Sequence, residues 1–222
     1  LIQINLLVGR QVASYYEGGI AWLSYADRVY QLPLGVVGIA IGIVLLPNLA
    51  KKLANNDNAG GQNSFNRSLE FSLIIALPSA IALIVMSNVI ISALFERGAF
   101  SSLDTLKTAA ALTIYGIGLP AFIGQKIYQP IFYARENTRS PFYFALIAMV
   151  VNLTLAVSLA QTFGYLASAL GTTIASWTML LLLKNSSKNY GPATQIDSRN
   201  KRVIPRVVIA SLIMGSLLLM TN

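Results

Sequence analysis

Ala26-Asp27-Arg28-Val29-Tyr30-Gln31-Leu32-Pro33-Leu34-Gly35 sets an acid and a base side by side at the head of a long apolar run. A charge at bilayer depth costs roughly 2.5 to 3.5 kcal/mol on insertion scales, so one that is kept there faces protein or water and serves a purpose. The chain as a whole places this run in a membrane. Its 222 residues are 55% hydrophobic and 11% charged, and the mean hydropathy is +0.63, whereas a soluble domain carries about a quarter of its residues charged. The fold class expected is all-α, a polytopic transmembrane helical bundle.

Composition also excludes chemistry. The net charge of +8 would suit nucleic acid only if the bases formed a solvated patch, and here they lie between apolar runs. No nucleic-acid partner is expected. The absence of Cys and His rules out thiolate and imidazole metal sites, disulfides, Ser-His catalysis and histidine proton relays. No Walker loop or Gly-x-Ser-x-Gly turn appears, so neither an enzyme nor a bound cofactor or metal is expected. The chain starts inside an apolar run without a basic n-region and reads as part of a larger membrane protein.

At about 20 apolar residues per span, the runs are Leu1 to Tyr16, Trp22 to Leu49, Leu69 to Phe95, Leu106 to Tyr133, Phe142 to Gln161, Tyr165 to Leu183 and Val203 to Met220, about seven helices. An Asn/Gly-rich loop is expected from Asn55 to Asn63 and a tight hairpin at Phe163-Gly164. The expected domains are a six-helix block over 1–184, a basic linker over 185–202 and an additional transmembrane helix over 203–222. Alternate connections carry the bases: Lys51, Lys52 and Arg67, then Arg135 and Arg139, then Lys184, Lys188, Arg199, Lys201, Arg202 and Arg206, against Arg97 and Lys107 on the other side. The positive-inside rule makes the Lys51 side cytoplasmic. Gly35, Gly38 and Gly42 lie near one helix face, a spacing that suits close helix packing. Pro33, Pro47, Pro78, Pro120 and Pro130 lie in or at the ends of spans; bent helices of this kind suit a transporter and also occur as ordinary kinks.

Four charged residues within spans are the candidate binding residues. Asp27 and Arg28 point about 100° apart on a helix and cannot pair face to face. Arg28 offers a rigid fork of donors suited to phosphate or carboxylate; snorkelling to the outer interface is the competing reading. Arg10 either snorkels or pairs with Asp27 across the hairpin. Lys126 lies nine residues before Arg135, roughly 13 Å from the helix end at 1.5 Å per residue, which is deep for a snorkel. Asn152 and Gln125 read as interhelical hydrogen-bonding groups. Arg67 and Glu70 read as a helix start.

Three motifs carry a family resemblance: Tyr25-Ala-Asp-Arg-Val-Tyr-Gln-Leu-Pro-Leu-Gly35, Leu94-Phe-Glu-Arg-Gly-Ala-Phe100 and Phe132-Tyr-Ala-Arg-Glu-Asn-Thr-Arg-Ser-Pro141, with Leu119-Pro-Ala-Phe122 between the last two. With them the chain resembles the MurJ/MviN family of lipid II flippases, within the multidrug/oligosaccharidyl-lipid/polysaccharide exporter superfamily. The resemblance implies a fourteen-helix protein of two six-helix lobes, of which this chain looks like helices seven to thirteen. It implies a multi-pass protein of the bacterial inner membrane, serving peptidoglycan synthesis and cell shape. Its partners would be the undecaprenyl-diphosphate-linked precursor, membrane lipids and an N-terminal lobe of the same protein. Alternating access around a cationic cavity would move the precursor. Arg28 falls on the cavity arginine contributed by this lobe, and Lys126 on a basic position of the family's tenth helix. The helix from Val203 would form half of a groove for the lipid tail. Where many relatives read Leu-Leu-Val-Asp-Arg this chain has Leu6-Leu-Val-Gly-Arg10, and Ala156 stands where some relatives have a polar or acidic group. Those positions contribute to a sodium site in some members, and here the ligand set loses its charge, leaving Asn152 and Thr172. Competing readings are another exporter of the superfamily and a non-transporting truncated membrane protein.

Overall fold

A computed structural model describes residues 9–55 and 57–221, and these contain no strand. Residues 9–14 are helical (α1) and represent the described part of the first expected span. There follow α2 (Gly19–Ala40), α3 (Leu46–Ala54), α4 (Asn58–Val85), α5 (Ser87–Phe95), α6 (Ser102–Tyr133), α7 (Arg139–Ser158), α8 (Ala160–Phe163), α9 (Leu166–Ser187) and α10 (Ser198–Thr221). Among the described residues, α4, α6, α7, α9 and α10 are long and apolar enough to cross a membrane. The second expected span is one helical path rewound in the middle, since α2 passes through a π-helical stretch at Ile41–Leu45 directly into α3.

Helix α6 sits at the centre, packed against α2, α4 and α9, while α7 lies outside α9 and α10 outside α4. Its Leu112, Leu119, Ile123, Ile127 and Ile131 are fully buried. In lipid, helices gain little from apolar burial alone, so close approach and hydrogen bonds hold them together. Both occur here. A Cβ at Gly116 would meet Ile84 at 3.0 Å, and one at Gly124 would meet Leu180 at 2.8 Å. From α9, Thr173 Oγ1 donates to the Ile114 carbonyl (3.0 Å) and Trp177 Nε1 to the Ile117 carbonyl (3.2 Å). Gln125 Nε2 returns a bond from α6 to the Ser176 carbonyl (2.9 Å), the interhelical role its sequence position suggests.

At the end opposite Lys51, α6 starts in a capping box in which the Asp104 N–H donates to Ser101 Oγ and the Ser101 N–H to Asp104 Oδ2. The second Asp104 oxygen accepts from Trp22 Nε1 at 2.8 Å, tying α2 to the same point. The Trp22 ring meets Tyr165 edge-on at 5.0 Å, and the Tyr165 hydroxyl donates to the Lys107 carbonyl at 3.0 Å. Bonds from Ser101 and Trp22 hold the Asp104 carboxyl below its usual pKa.

The expected Asn/Gly-rich loop is mostly helix. Asp57 caps α4 by accepting from the Gly60 N–H at 2.8 Å, and Gly61 and Phe65 are buried within the first two turns. Packing and the cap outweigh the weak helix propensity of Gly60 and Gly61. The expected third span is in turn divided at Met86 into α4 and α5.

The stretch from Ser187 to Ser198 is fastened to α4. Asn66, wholly buried, donates to the Gln195 carbonyl (2.8 Å) and accepts from the Asp197 N–H (3.0 Å) and Asn200 Nδ2 (2.9 Å). Glu70 is paired with Arg67 and, at 2.9 Å, with Arg199, while Arg67 also reaches Asp197. Desolvation would raise the Asp197 pKa, but hydrogen bonds from the Asn200 N–H and Arg67 outweigh it and hold the carboxyl low. Glu70, more than a helix-start acid, joins α4 to the foot of α10.

Two outcomes are expected. Because the folded Asp104 pKa is depressed, its stabilisation is present above the unfolded pKa of about 3.9 and lost as pH falls through the lower folded value. Asp104→Asn should therefore lower Tm at neutral pH and lessen the decline in Tm on acidification, measured by thermal melts in detergent. The chain has no native cysteine, so Thr194→Cys at a buried position of the clamped stretch gives a unique label. Adding Glu70→Gln should raise its thiol-labelling rate about ten-fold, the equivalent of about 1.4 kcal/mol for one lost charge-assisted bond.

Candidate functional site: a polar cleft and the exposed face of the second helix

A cleft of about 1550 Å³ opens between α1, α2, α6, α7 and α9. Three of the four charged candidates line it: Arg10 from α1, Asp27 from α2 and Lys126 from α6. Gln31, Gln125, Gln129, Asn152, Ser168, Thr172 and Ser176 add neutral polar groups. Asp27 accepts from Gln31 Nε2 one turn along its own helix, and no ion pair within 4 Å joins it to Arg10. The pairing of Arg10 with Asp27 across the hairpin, one of the two readings of Arg10, is thus a shared cleft and not a salt bridge. With two bases and one acid, the described lining carries a net positive charge.

Arg28 is not among the cleft residues. One position beyond Asp27, it is exposed on a face of α2 that also bears Leu32 and Val36, which are 67% and 61% exposed. A Cβ at Gly35 or Gly38 would meet nothing within 4 Å. These two glycines therefore do not serve packing inside this chain, contrary to the expectation from their spacing; both open onto the cleft. The structure brings Arg10, Asp27 and Lys126 together and leaves Arg28 on the neighbouring, uncovered face.

The motifs around these residues are largely architectural. The Tyr25 ring packs against Phe95 (4.8 Å) and Phe100 (5.2 Å) of the second motif. That turn is closed by Gly98 at φ 63° and by Thr105 Oγ1 donating to Glu96 at 2.9 Å. Bonds from Ser92 and Thr105 lower the Glu96 pKa. In the third motif Arg135 stacks on Tyr190 at 4.7 Å and donates to its carbonyl at 2.7 Å, and Asn137 Nδ2 donates to the Tyr190 hydroxyl. Tyr190, which the sequence reading did not single out, is the ring on which the end of α6 rests.

The family model described as "Lipid II flippase MurJ" matches residues 1–222. The chain belongs to the MurJ family. A probable lipid II flippase MurJ from Rhizobium meliloti is 45% identical over 221 residues, 98% of this chain and 41% of the relative. One from Rhizobium tropici is 49% identical over 175 residues, 79% of this chain and 33% of the relative. A solved structure titled "Lipid II flippase MurJ, inward closed conformation" superposes with a TM-score of 0.85 at 31% identity, covering 99% of this chain and 45% of that one. The chain spans less than half the length of the MurJ relatives it matches. MurJ proteins are flippases, a transporter family, and the helices here agree with a multi-pass membrane protein.

The sodium site of some MurJ members does not fit these residues. Gly9 supplies no side-chain oxygen, and a Cβ there would stand 2.5 Å from Ser168 Oγ, which would have to turn aside. Ala156 supplies no side-chain oxygen, and Thr172 Oγ1 donates to the Ser168 carbonyl at 2.9 Å. Asn152 Oδ1, buried and without a partner, is a neutral acceptor that one water would satisfy. Hard cations need several oxygen ligands and gain affinity from charged ones. Exchanging Na+ for K+ should accordingly leave Tm unchanged; a saturable sodium-specific rise that Asn152→Ala removes would contradict this.

Proposed function

We propose that this chain is the second-lobe portion, with the helix that follows it, of a lipid II flippase of the bacterial inner membrane. It would act by alternating access and without covalent chemistry. On this reading the 1–184 block forms the lobe, and the 203–222 helix stands beside it. The observation that carries the reading is the match of a lipid II flippase family model across all 222 residues, joined to a basic residue on an uncovered apolar face. Arg28 projects where another lobe would complete a cavity, and its fork of donors suits a diphosphate. Charge-assisted contacts of this kind contribute about 1.5 to 3 kcal/mol each, more effectively where water is scarce. Arg10 and Lys126, in the cleft behind the same helix, add positive potential, and Asp27 orients that end of α2 through Gln31. The partners are then an undecaprenyl-diphosphate-linked precursor, membrane lipids and an N-terminal lobe.

A chimera in which residues 1–222 replace the matching segment of the Rhizobium meliloti relative should sustain growth of a flippase-depleted bacterium. Arg28→Ala in that chimera should abolish growth at unchanged membrane levels, and normal growth would remove Arg28 from the substrate wall. The 222 residues alone, in proteoliposomes, should not move lipid II.

A further inference from the structure

Asp27 and Arg10 are an acid and a base that line one cleft without closing on each other. The Asp27 carboxylate is turned to Gln31 of its own helix and has the buried Tyr30 hydroxyl beside it. Arg10 stands near enough for its charge to be felt at Asp27, yet the ion pairs among the described residues leave both out. No other base competes for Asp27 inside the described cleft. Arg28 points about 100° away on the same helix. Lys126 is remote: the Tyr30 ring stacks on Tyr115 at 4.9 Å, and Lys126 follows Tyr115 by eleven residues, roughly 16 Å of helix at 1.5 Å per residue.

Opposite charges in apolar surroundings normally close into a salt bridge, because each one left open bears its desolvation cost alone. A gap between an acid and a base that open onto one cavity is the complement of a molecule carrying both charges at short range. An anion alone would meet Arg10 but be repelled by Asp27, and a cation alone would meet Asp27 but be repelled by Arg10. An α-amino acid satisfies both, its carboxylate in the guanidinium fork and its ammonium on the carboxylate, each at about 2.8 Å. The same cleft holds one more open acceptor, Asn152 Oδ1, which is buried and meets no protein donor. At about 1550 Å³ the cleft also has room for a chain attached to the amino acid. We infer that it holds a zwitterionic amino-acid centre, with the carboxylate on Arg10 and the ammonium on Asp27. The centre belongs either to a free amino acid or to a peptide carried on a lipid-linked headgroup; the second source rests on the transport reading and the first does not.

The test is a thermal melt of the full chain in detergent with three probes. Alanine should raise Tm saturably, while acetylalanine, which keeps only the carboxylate, and alanine amide, which keeps only the ammonium, should not. Asp27→Asn, an isosteric change that keeps a polar group within reach of Gln31, should raise the half-saturating alanine concentration about ten-fold, the loss of one charge-assisted bond. Arg10→Gln should do the same, and Glu136→Gln, in the exposed turn after α6, should leave it unchanged. No saturable shift with alanine, an equal shift with acetylalanine or alanine amide, or an unchanged half-saturation in Asp27→Asn would each overturn the site. Displacement of radiolabelled alanine then separates the sources. Lipid II with a free amino-acid centre on its peptide displaces the label, and the same lipid acetylated at that amine does not, if the headgroup carries the centre; if neither displaces it, the occupant is a free amino acid. These readouts do not depend on transport, so their failure leaves the flippase reading standing.

Discussion

The close packing of α6 against α2, α4 and α9 positions everything else in this molecule. Hydrocarbon removes most of the apolar reason for helices to associate, so contact must come from shape and from polar groups that have nowhere else to go. Gly116 and Gly124 let neighbours approach, and Thr173, Trp177 and Gln125 cross between α6 and α9. The two ends of α6 are then fixed separately, by Asp104 and Trp22 at one end and by Arg135 and Tyr190 at the other. A helix held along its length and at both ends gives α2 a firm backing on one side, and α2 presents its other side uncovered.

That arrangement separates two kinds of charge that the sequence sets side by side. Asp27 turns inward to the cleft and is met by Gln31; Arg28 turns outward onto an exposed apolar face. The cost of keeping a guanidinium there is consistent with a surface that meets an anion or another part of a longer protein. The remainder of the motif, notably Tyr25 against Phe95 and Phe100, holds the end of α2 in place.

The helical class and the approximate location of most spans were legible because long apolar runs leave few alternatives. Helix ends were less so: Asp57 as a cap extends α4 two turns into what composition marks as loop. That Gly35 and Gly38 open onto the cleft was hidden, since a small-residue stripe signals close approach without naming a partner. The clamp joining Asn66 and Glu70 to Asp197, Arg199 and Asn200 was hidden too, because its halves lie far apart in the chain. Asn66 and Glu70 do share a helix face at i, i+4, a signal that two polar groups there await a partner. Three of the four candidate binding residues share a cleft, and the fourth lies next to it on the face that local helix geometry assigns.

The central claim is that the exposed face of α2 meets the lipid-linked headgroup. A photo-crosslinking residue at Leu32, one turn from Arg28, and another at Val150, exposed on α7, would be placed in the chimera and supplied with radiolabelled lipid II. Label captured at position 32 and not at 150 is the predicted result; capture at 150 with none at 32 would contradict it.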